Sequence, residues 1–342
     1  MPLLNSLLPY SLLPYSLRPY PPRRPTWPAL TLVVAVCLSL GACGSDDTTR
    51  EDEPAAATAD AAFPVSVQSG AMGAAEKITV ETEPRSIVSL SATATEMLWA
   101  IGADDQVVAV DDQSDYPEGV PTTELSGYEP NVEAILRYEP DLVVASGDSG
   151  DLVAGLEAVD VPVLLLPAAT SLDESYSQIE RLGAASGHVG EAAATVSEMQ
   201  AGIEEAVAEA PDAEGLTYFH ELGPDLYTVT GNTFIGEIYE LFGLRSIADA
   251  AGEGDDYPQL SSEYVVSADP DLVFLADNEC CAVTPDDVGS RPGWEQMSAV
   301  RDTRIHVVNE DVTSRWGPRV VEFVELIGEI VAEHAQRAQP VG

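Results

Sequence analysis

The sequence is poor in basic side chains. Arginine and lysine together number 15 against 58 aspartate and glutamate residues, the formal net charge at pH 7 is −43, and Lys77 is the only lysine. This charge would repel a phosphate backbone, so the composition excludes nucleic acid as a partner. The acidic residues are dispersed along the chain, which fits a surface adapted to high salt, where screening weakens their repulsion. The acidic surface of a secreted protein without that adaptation fits the same composition.

The usual catalytic and metal-binding motifs are also missing. The sequence contains no Gly-x-Ser-x-Gly, no phosphate-binding loop and no His-Glu-x-x-His. The hypothesis of a lipid-anchored hydrolase therefore rests only on the many carboxylates. The spacing of the four histidines predicts no metal site: His188, His220, His306 and His334. A structural or adhesive lipoprotein is a third hypothesis, and it predicts no ligand cleft.

The N-terminus has the features of an export signal. Arg23 and Arg24 precede an apolar run over 29–40, which is too short to span a bilayer, and Leu40-Gly41-Ala42-Cys43 resembles a bacterial lipobox. We predict that 1–42 is a lipoprotein signal peptide and that lipidated Cys43 holds the mature protein on the outer face of the cytoplasmic membrane. A secretory signal with an ordinary cleavage site is the alternative. The repeated Ser-Leu-x-Pro-Tyr over 6–20 indicates a start codon further downstream.

Cysteine is scarce in the predicted mature chain. Apart from the lipidated Cys43, only the adjacent Cys280 and Cys281 remain, so no disulfide framework supports the fold. Outside the reducing cytosol these two cysteines can form only a vicinal intramolecular disulfide, which would give the surrounding loop a fixed shape. Two packed thiols or a soft-metal contact are the alternatives.

The chain pattern predicts an α/β protein with two lobes. Residues 43–62 are acidic and rich in alanine, and they predict a disordered tether. We expect a first lobe over 63–170, linking helices over 171–210 and a second lobe with a terminal helix over 211–342. Apolar or alternating runs predict strands at 64–68, 77–81, 87–90, 107–110, 141–145 and 161–166, then at 216–221, 226–230, 272–276 and 305–308.

Helical periodicity connects and closes these lobes. Thr93 and Glu96 have the spacing of a capping box, which predicts a helix over 93–101. Helices are also predicted over 171–187, 188–209 and 318–336. At about 1.5 Å per residue, the helix over 188–209 is long enough to join two lobes stiffly.

An internal repeat indicates that both lobes are built on one plan. The segment from Asn131 to Val144 matches the segment from Ser262 to Phe274, and each leads through Pro-Asp-Leu-Val into an apolar strand. Two Rossmann-like βα lobes related by a pseudo-twofold axis would leave a ligand cleft between them.

An ordered set of motifs carries a family resemblance from residue 63 onward. It includes Pro84-Arg85-Ser-Ile-Val-Ser-Leu90, Ser114-Asp-Tyr-Pro117, the two Pro-Asp-Leu-Val units and Trp316-Gly-Pro-Arg319. With these motifs the chain resembles the solute-binding proteins that feed ABC importers of cobalamin and ferric siderophores. The resemblance implies a monomer without enzymatic activity that delivers a small metal chelate to a permease dimer and its ATPase. Haem is an alternative ligand on the same scaffold.

The resemblance also implies a docking role for two glutamates. In this family one glutamate on each lobe pairs with arginines of the permease, and the matching residues here are Glu133 and Glu263. Two carboxylates on opposite lobes suit a dimeric, arginine-bearing partner. A favourable acid in the first turn of each helix is the alternative.

Ligand contacts are expected beyond the carboxyl ends of the parallel strands. Aromatic planes there suit a flat macrocycle, and Arg319 suits a carboxylate or phosphate. For each candidate, packing or capping is the alternative, and for His220 this is a structural histidine. The candidates are Ser91, Thr93, Tyr116, Tyr128, Ser146, Asp148, His220, Glu221, Tyr227, Cys280, Cys281, Trp316 and Arg319.

Overall fold

The computed structural model describes residues 63–74, 76–251 and 254–338. The predictions for the signal peptide, for Cys43 and for the tether lie outside these residues. The described residues fall within one compact unit of the chain. None of their helices has the length and apolar character needed to cross a membrane.

The first lobe contains a parallel sheet beside a short antiparallel hairpin. β1 and β2 form the hairpin, and the sheet has the strand order β4-β3-β5-β6. The strands are β1 (Val65–Gln68), β2 (Lys77–Val80), β3 (Ile87–Leu90), β4 (Val107–Val110), β5 (Leu142–Ala145) and β6 (Val163–Leu165). The α-helices are α1 (Ala92–Ala100), α2 (Val132–Ile135), α3 (Leu152–Glu157) and α4 (Leu172–Ser186).

The second lobe has one parallel sheet, whose strand order is β10-β9-β7-β8. Its strands are β7 (Thr217–Glu221), β8 (Arg245–Ser246), β9 (Leu272–Leu275) and β10 (Ile305–Val307). After the linking helix α5 (Val189–Glu209), the helices are α6 (Phe234–Glu240), α7 (Ser262–Ala268), α8 (Asn278–Cys281), α9 (Pro285–Gly289), α10 (Ser298–Arg301), α11 (Glu310–Ser314) and α12 (Val320–Ala338).

The internal repeat is visible in hydrogen bonds as well as in strand order. If β3 is matched with β7 and β5 with β9, the two sheets have the same order. The Asp141 carboxylate accepts from the backbone N–H of Arg85 at 2.9 Å, and the Asp271 carboxylate accepts from that of Thr217 at 2.9 Å. Asn131 and Ser261 each cap the helix that opens their half of the repeat, so these two residues are equivalent. The second half of the repeat therefore begins at Ser261, one residue before the Ser262 that the sequence comparison indicated.

One helix links the lobes, and the terminal helix packs along it. α5 has 21 residues, which corresponds to about 30 Å, and its buried stripe includes Met199 and Ile203. The terminal helix α12 packs along α5. Their approach is close at Gly202, because a Cβ atom there would lie 2.8 Å from a methyl carbon of Val321. Any larger residue at position 202 would push the two helices apart.

The core is divided by the two sheets. Leu142 and Val144 of β5 and Leu272 and Phe274 of β9 belong to one apolar cluster, which they share with α4, α5 and α12. The alternate residues of each strand face separate clusters on the outer side of their own lobe. A shared core of this kind holds the two lobes together.

Two local predictions are wrong. The segment 226–230 is not a strand of the sheet. It lies antiparallel to 256–260, with a bridge between Tyr227 and Gln259 and backbone hydrogen bonds from Thr228 to Pro258 and from Thr230 to Asp256. The fourth strand of the second lobe is instead the two-residue β8. α1 is capped by Ser91, whose side chain accepts from the N–H of Ala94, so Thr93 and Glu96 do not form a capping box.

Candidate functional site

A cavity of about 320 Å³ lies between the lobes, at the carboxyl ends of the first-lobe strands. The first lobe supplies the segments that follow β3, β4 and β5, and the second lobe supplies α11 and the residues after it. The lining residues are Leu90, Ser91, Ala92, Thr93, Asp111, Gln113, Gly127, Tyr128, Ser146, Glu310, Asp311, Ser314, Arg315 and Trp316.

Five of the predicted ligand residues meet in this cavity: Ser91, Thr93, Tyr128, Ser146 and Trp316. Tyr128 is 79% exposed and is available to stack on a ligand. The indole of Trp316 is fixed in place, because its Nε1 donates to Gln178 at 2.8 Å. The cavity therefore offers one exposed and one fixed aromatic side chain.

The electrostatics of the cavity are dominated by carboxylates. Asp111, Asp311 and Glu310 line it, and burial raises the pKa of Asp111 and the pKa of Asp311. Arg315 is the basic residue in the lining, but Glu96, Asp115 and the lining residue Asp311 already pair with its guanidinium. A site of this character disfavours an anionic ligand and suits a neutral or cationic one that carries hydrogen-bond donors.

An ion-pair network joins the lobes next to the cavity. The Glu96 side chain of α1 is 2% exposed, and its oxygens accept from Arg315 at 2.9 Å and from Arg319 at 2.5 and 2.9 Å. Arg315 also pairs with Asp115 at 3.0 Å and with Asp311 at 2.7 Å. Although burial disfavours the Arg315 cation, hydrogen bonds to Glu96 and Asp115 raise its pKa. We call Glu96, Asp115, Asp311, Arg315 and Arg319 the interlobe network.

Tyr116 and Arg319 line a neighbouring cavity of about 370 Å³ instead of the cleft. The Arg319 guanidinium carbon lies 4.0 Å from the centroid of the Tyr116 ring, and Glu96 holds the guanidinium through two hydrogen bonds. Glu96 therefore already pairs with the guanidinium that the sequence analysis expected to meet a ligand carboxylate.

His220 and Glu221 lie inside the second lobe and not on the cleft wall. Both are fully buried, and the His220 Nδ1 atom lies 2.8 Å from the Tyr239 hydroxyl. Burial lowers the pKa of His220 to about 3, so it is a neutral structural histidine. The Glu221 carboxylate is held by Arg291 through two hydrogen bonds of 2.5 and 2.6 Å. The prediction that these two residues contact a ligand is wrong, because neither is accessible.

A buried carboxyl group lies beside this pair. Asp277 follows β9 and is fully buried, and its side-chain oxygens have no hydrogen-bond partner among the described residues. Burial, together with the nearby charge of Glu221, raises the pKa of Asp277 to about 7. The repulsion from Glu221 disfavours a second negative charge at this place, although the Arg291 guanidinium lies nearby.

The other predicted ligand residues lie outside the cleft cavity. The Asp148 carboxylate accepts from the N–H of Val153 at 2.9 Å and so supports the start of α3. Tyr227 is 47% exposed on the segment that was wrongly predicted as a strand. Cys280 and Cys281 form a vicinal disulfide in α8. None of these four residues lines the cavity described above.

Glu133 and Glu263 occupy equivalent places on the two lobes. Each is an exposed residue in the first turn of its helix, α2 or α7. Within the ranges that the structure describes, histidine, cysteine and acidic side chains form no group suited to holding a metal ion.

Several residues of the site were missed by the sequence reasoning. Asp111, Glu310, Asp311 and Arg315 line the cleft, and Glu96 organises the network beside it. Asp111 directly follows β4, so the rule that ligands lie beyond strand ends could have found it. The others are brought in by helices and by contacts between the lobes, which leave no signal in the local sequence.

Two lobes of one topology, a single linking helix between them and a cleft at the strand ends define a two-lobed solute-binding protein. The sequence matches the periplasmic binding protein family over residues 87–312, and the chain belongs to this family. An uncharacterized ABC transporter substrate-binding lipoprotein of Bacillus subtilis is 30% identical over 315 residues, which cover 89% of this chain and 96% of the relative.

Two further comparisons bear on the family and the fold. A cobalamin-binding protein of Halobacterium salinarum is 34% identical over 284 residues, which cover 79% of this chain and 76% of that protein. The crystal structure of the periplasmic vitamin B12 binding protein of Vibrio cholerae superposes with a TM-score of 0.64 at 24% identity. That match covers 75% of this chain and 99% of the Vibrio chain, and it shows the shared fold.

Proposed function

We propose that the protein is the extracytoplasmic substrate-binding component of an ABC importer and that it captures a cobalamin-type ligand in the interlobe cleft. The observation that carries the proposal is the cleft itself, where two aromatic side chains stand among carboxylates whose one basic neighbour is already paired. The similarity to binding proteins named for cobalamin and vitamin B12 supports the same ligand. The relatives are binding proteins, which supports a role without catalysis.

Charge separates the candidate ligands. Cobalamin carries amide groups around its ring and no free carboxylate, so it can donate hydrogen bonds to Asp111, Glu310 and Asp311. Haem carries two propionates, and ferric catecholate chelates are anions, so both would meet like charge in this cavity. A ferric hydroxamate chelate, which lacks that negative charge, is the siderophore type that the cleft disfavours least.

Titration calorimetry with cyanocobalamin, haemin and ferric chelates tests the ligand. We expect cyanocobalamin to bind at least tenfold more tightly than the anionic ligands, and Tyr128→Ala to weaken its binding by about tenfold through loss of an aromatic contact. Tyr138→Ala is the matched control, because Tyr138 is also an exposed tyrosine of the first lobe but does not line the cleft. Tighter binding of an anionic chelate would refute the cobalamin assignment.

Haem is the second candidate, and Tyr128 is the observation that favours it. A tyrosine can serve as an axial ligand of haem iron, and Tyr128 is the only His, Cys, Met or Tyr residue among those that line the described cavity. In the calorimetric comparison above, haemin binding that is lost in Tyr128→Phe would establish this alternative.

We further propose that Cys43 carries the lipid anchor, in agreement with the name of the Bacillus subtilis relative. Cys43→Ala should move the protein from the membrane fraction to the medium or periplasm of the expressing cells. Membrane fractionation followed by immunoblotting measures this change. Retention of Cys43→Ala in the membrane fraction would contradict lipid anchoring at this residue.

The partner that we propose is a permease dimer with its ATPase, and the docking residues are Glu133 and Glu263. Their support is positional, since the internal repeat relates α2 to α7 and places one exposed carboxylate on each lobe. The two glutamates lie outside the cleft lining, so docking and ligand binding can be measured separately.

A further inference from the structure

The adjacent cysteines lie beside the second-lobe wall of the cleft. The vicinal disulfide of Cys280 and Cys281 closes within α8, and both residues are exposed to solvent. α8 has only four residues and is followed by its C-cap Ala282, whose φ of 54° lies in the left-handed region that disfavours residues with a side chain. A single helical turn is not stable alone, so the shape of α8 depends on covalent and tertiary constraints.

Two hydrogen bonds join α8 to the beginning of α11. The backbone N–H of Cys280 donates to Oε2 of Glu310 at 3.0 Å, and the Asn309 amide donates to Glu279 at 2.8 Å. Asn309 is also the N-cap of α11, because its Oδ1 accepts from the N–H of Val312 at 2.8 Å. The backbone of α8 therefore fixes the carboxylate of Glu310, a residue of the cleft wall.

We propose that Glu310 selects ligands that carry amide or cationic donors and that the Cys280–Cys281 disulfide is its positioning element, so that a dithiol reductant outside the cytoplasm weakens ligand binding. The inference rests on the proposed function, because it needs a ligand in the interlobe cleft. α11 also carries Asp311 and precedes Arg315, so a change at its first turn reaches the interlobe network as well.

The redox step is a simple thiol–disulfide exchange. A dithiol gives two electrons and two protons to the sulfur–sulfur bond, which breaks, and the dithiol itself becomes a disulfide. Two thiols remain on Cys280 and Cys281. The ring that constrained these two residues opens, their backbone gains conformational freedom, and the N–H of Cys280 is no longer held at Glu310.

Variants that lack the disulfide measure the effect on binding without exposing the cobalt of the ligand to a reductant. Cys280→Ser/Cys281→Ser should bind cyanocobalamin about threefold to tenfold more weakly, the range that corresponds to the net contribution of one ordinary hydrogen bond. Glu310→Gln should lose a similar factor. The triple variant should lose little more than Glu310→Gln, because both changes act through the same carboxylate.

The binding test has a matched control and two results that would contradict the proposal. Glu295→Gln changes an exposed acid of the same lobe that lines none of the cavities described here, and it should bind as the unchanged protein does. Losses that add fully in the triple variant would overturn the coupling. Unchanged binding in the double serine variant would overturn it too.

Hydrogen exchange tests the mechanical step in ligand-free protein. A dithiol should accelerate the exchange of backbone amides in α11, and it should have no further effect in Cys280→Ser/Cys281→Ser. Mass spectrometry of unreduced protein should show two hydrogens fewer than the dithiol form.

Unchanged exchange, or freely alkylated thiols before reduction, overturns this inference even if cobalamin binds. Failure of the unchanged protein to bind cobalamin instead refutes the proposed function, while the exchange result still decides whether α8 and α11 are coupled.

Discussion

Replacing Glu96 by alanine should lower the free energy of unfolding by about 3–5 kcal/mol, the usual cost of breaking a buried ion pair from one side. The same change should weaken ligand binding at least tenfold. Glu96 is the carboxylate that Arg315 and Arg319 share, and both arginine side chains are more than four-fifths buried. Without Glu96, two guanidinium groups lose a partner at the boundary between the lobes. Since Arg315 also lines the cleft, the loss reaches ligand binding as well as the fold.

Urea denaturation and calorimetric titration measure the two effects of the Glu96 change. Glu118→Ala removes an exposed acid of the same lobe and should stay within about 0.5 kcal/mol of the unchanged protein. Glu96→Gln keeps the shape of the side chain and one acceptor, so we expect an intermediate loss. If Glu96→Ala were no more destabilising than Glu118→Ala, the interlobe network would not support the fold.

Replacing Glu133 and Glu263 together by alanine should reduce uptake of the ligand by a factor of about 100 or more, while the affinity of the purified protein for the ligand stays unchanged. Each single change should reduce uptake much less. A charge-assisted hydrogen bond contributes about 1.5–3 kcal/mol, so losing one on each lobe multiplies two factors of roughly ten or more. The expectation depends on both glutamates being exposed at equivalent positions of α2 and α7.

Uptake of labelled ligand by cells and titration of the purified variants separate docking from ligand binding. Glu157→Ala with Glu295→Ala is the matched control, because it also removes one exposed acid from each lobe. This control should leave both uptake and affinity unchanged. A double variant of Glu133 and Glu263 that transports normally but binds ligand poorly would place these residues in ligand binding and would contradict the docking role.

β5 and β9 could be predicted because each is a short apolar run whose residues are all buried. The bounds of β3 and β4 agree with the sequence prediction residue for residue, and α4 and α5 also begin and end near their predicted limits. Over 226–230, the alternation of apolar and polar residues led to a wrong prediction. Alternation shows that a segment is extended, but it does not show whether that segment pairs within the sheet, and the two-residue β8 is too short to have a pattern.

The sequence by itself determined the two-lobed α/β plan and part of the cleft, including Ser91 and Tyr128, because residues beyond strand ends can be read from local order. Only the tertiary structure decided which charged groups meet. Glu96 and Arg315 are 219 positions apart, and their contact exists because the two lobes pack on one shared core. The tertiary structure also determined that His220 is buried. Side-chain accessibility depends on everything packed around a strand end, and neighbours in the sequence carry little of that information.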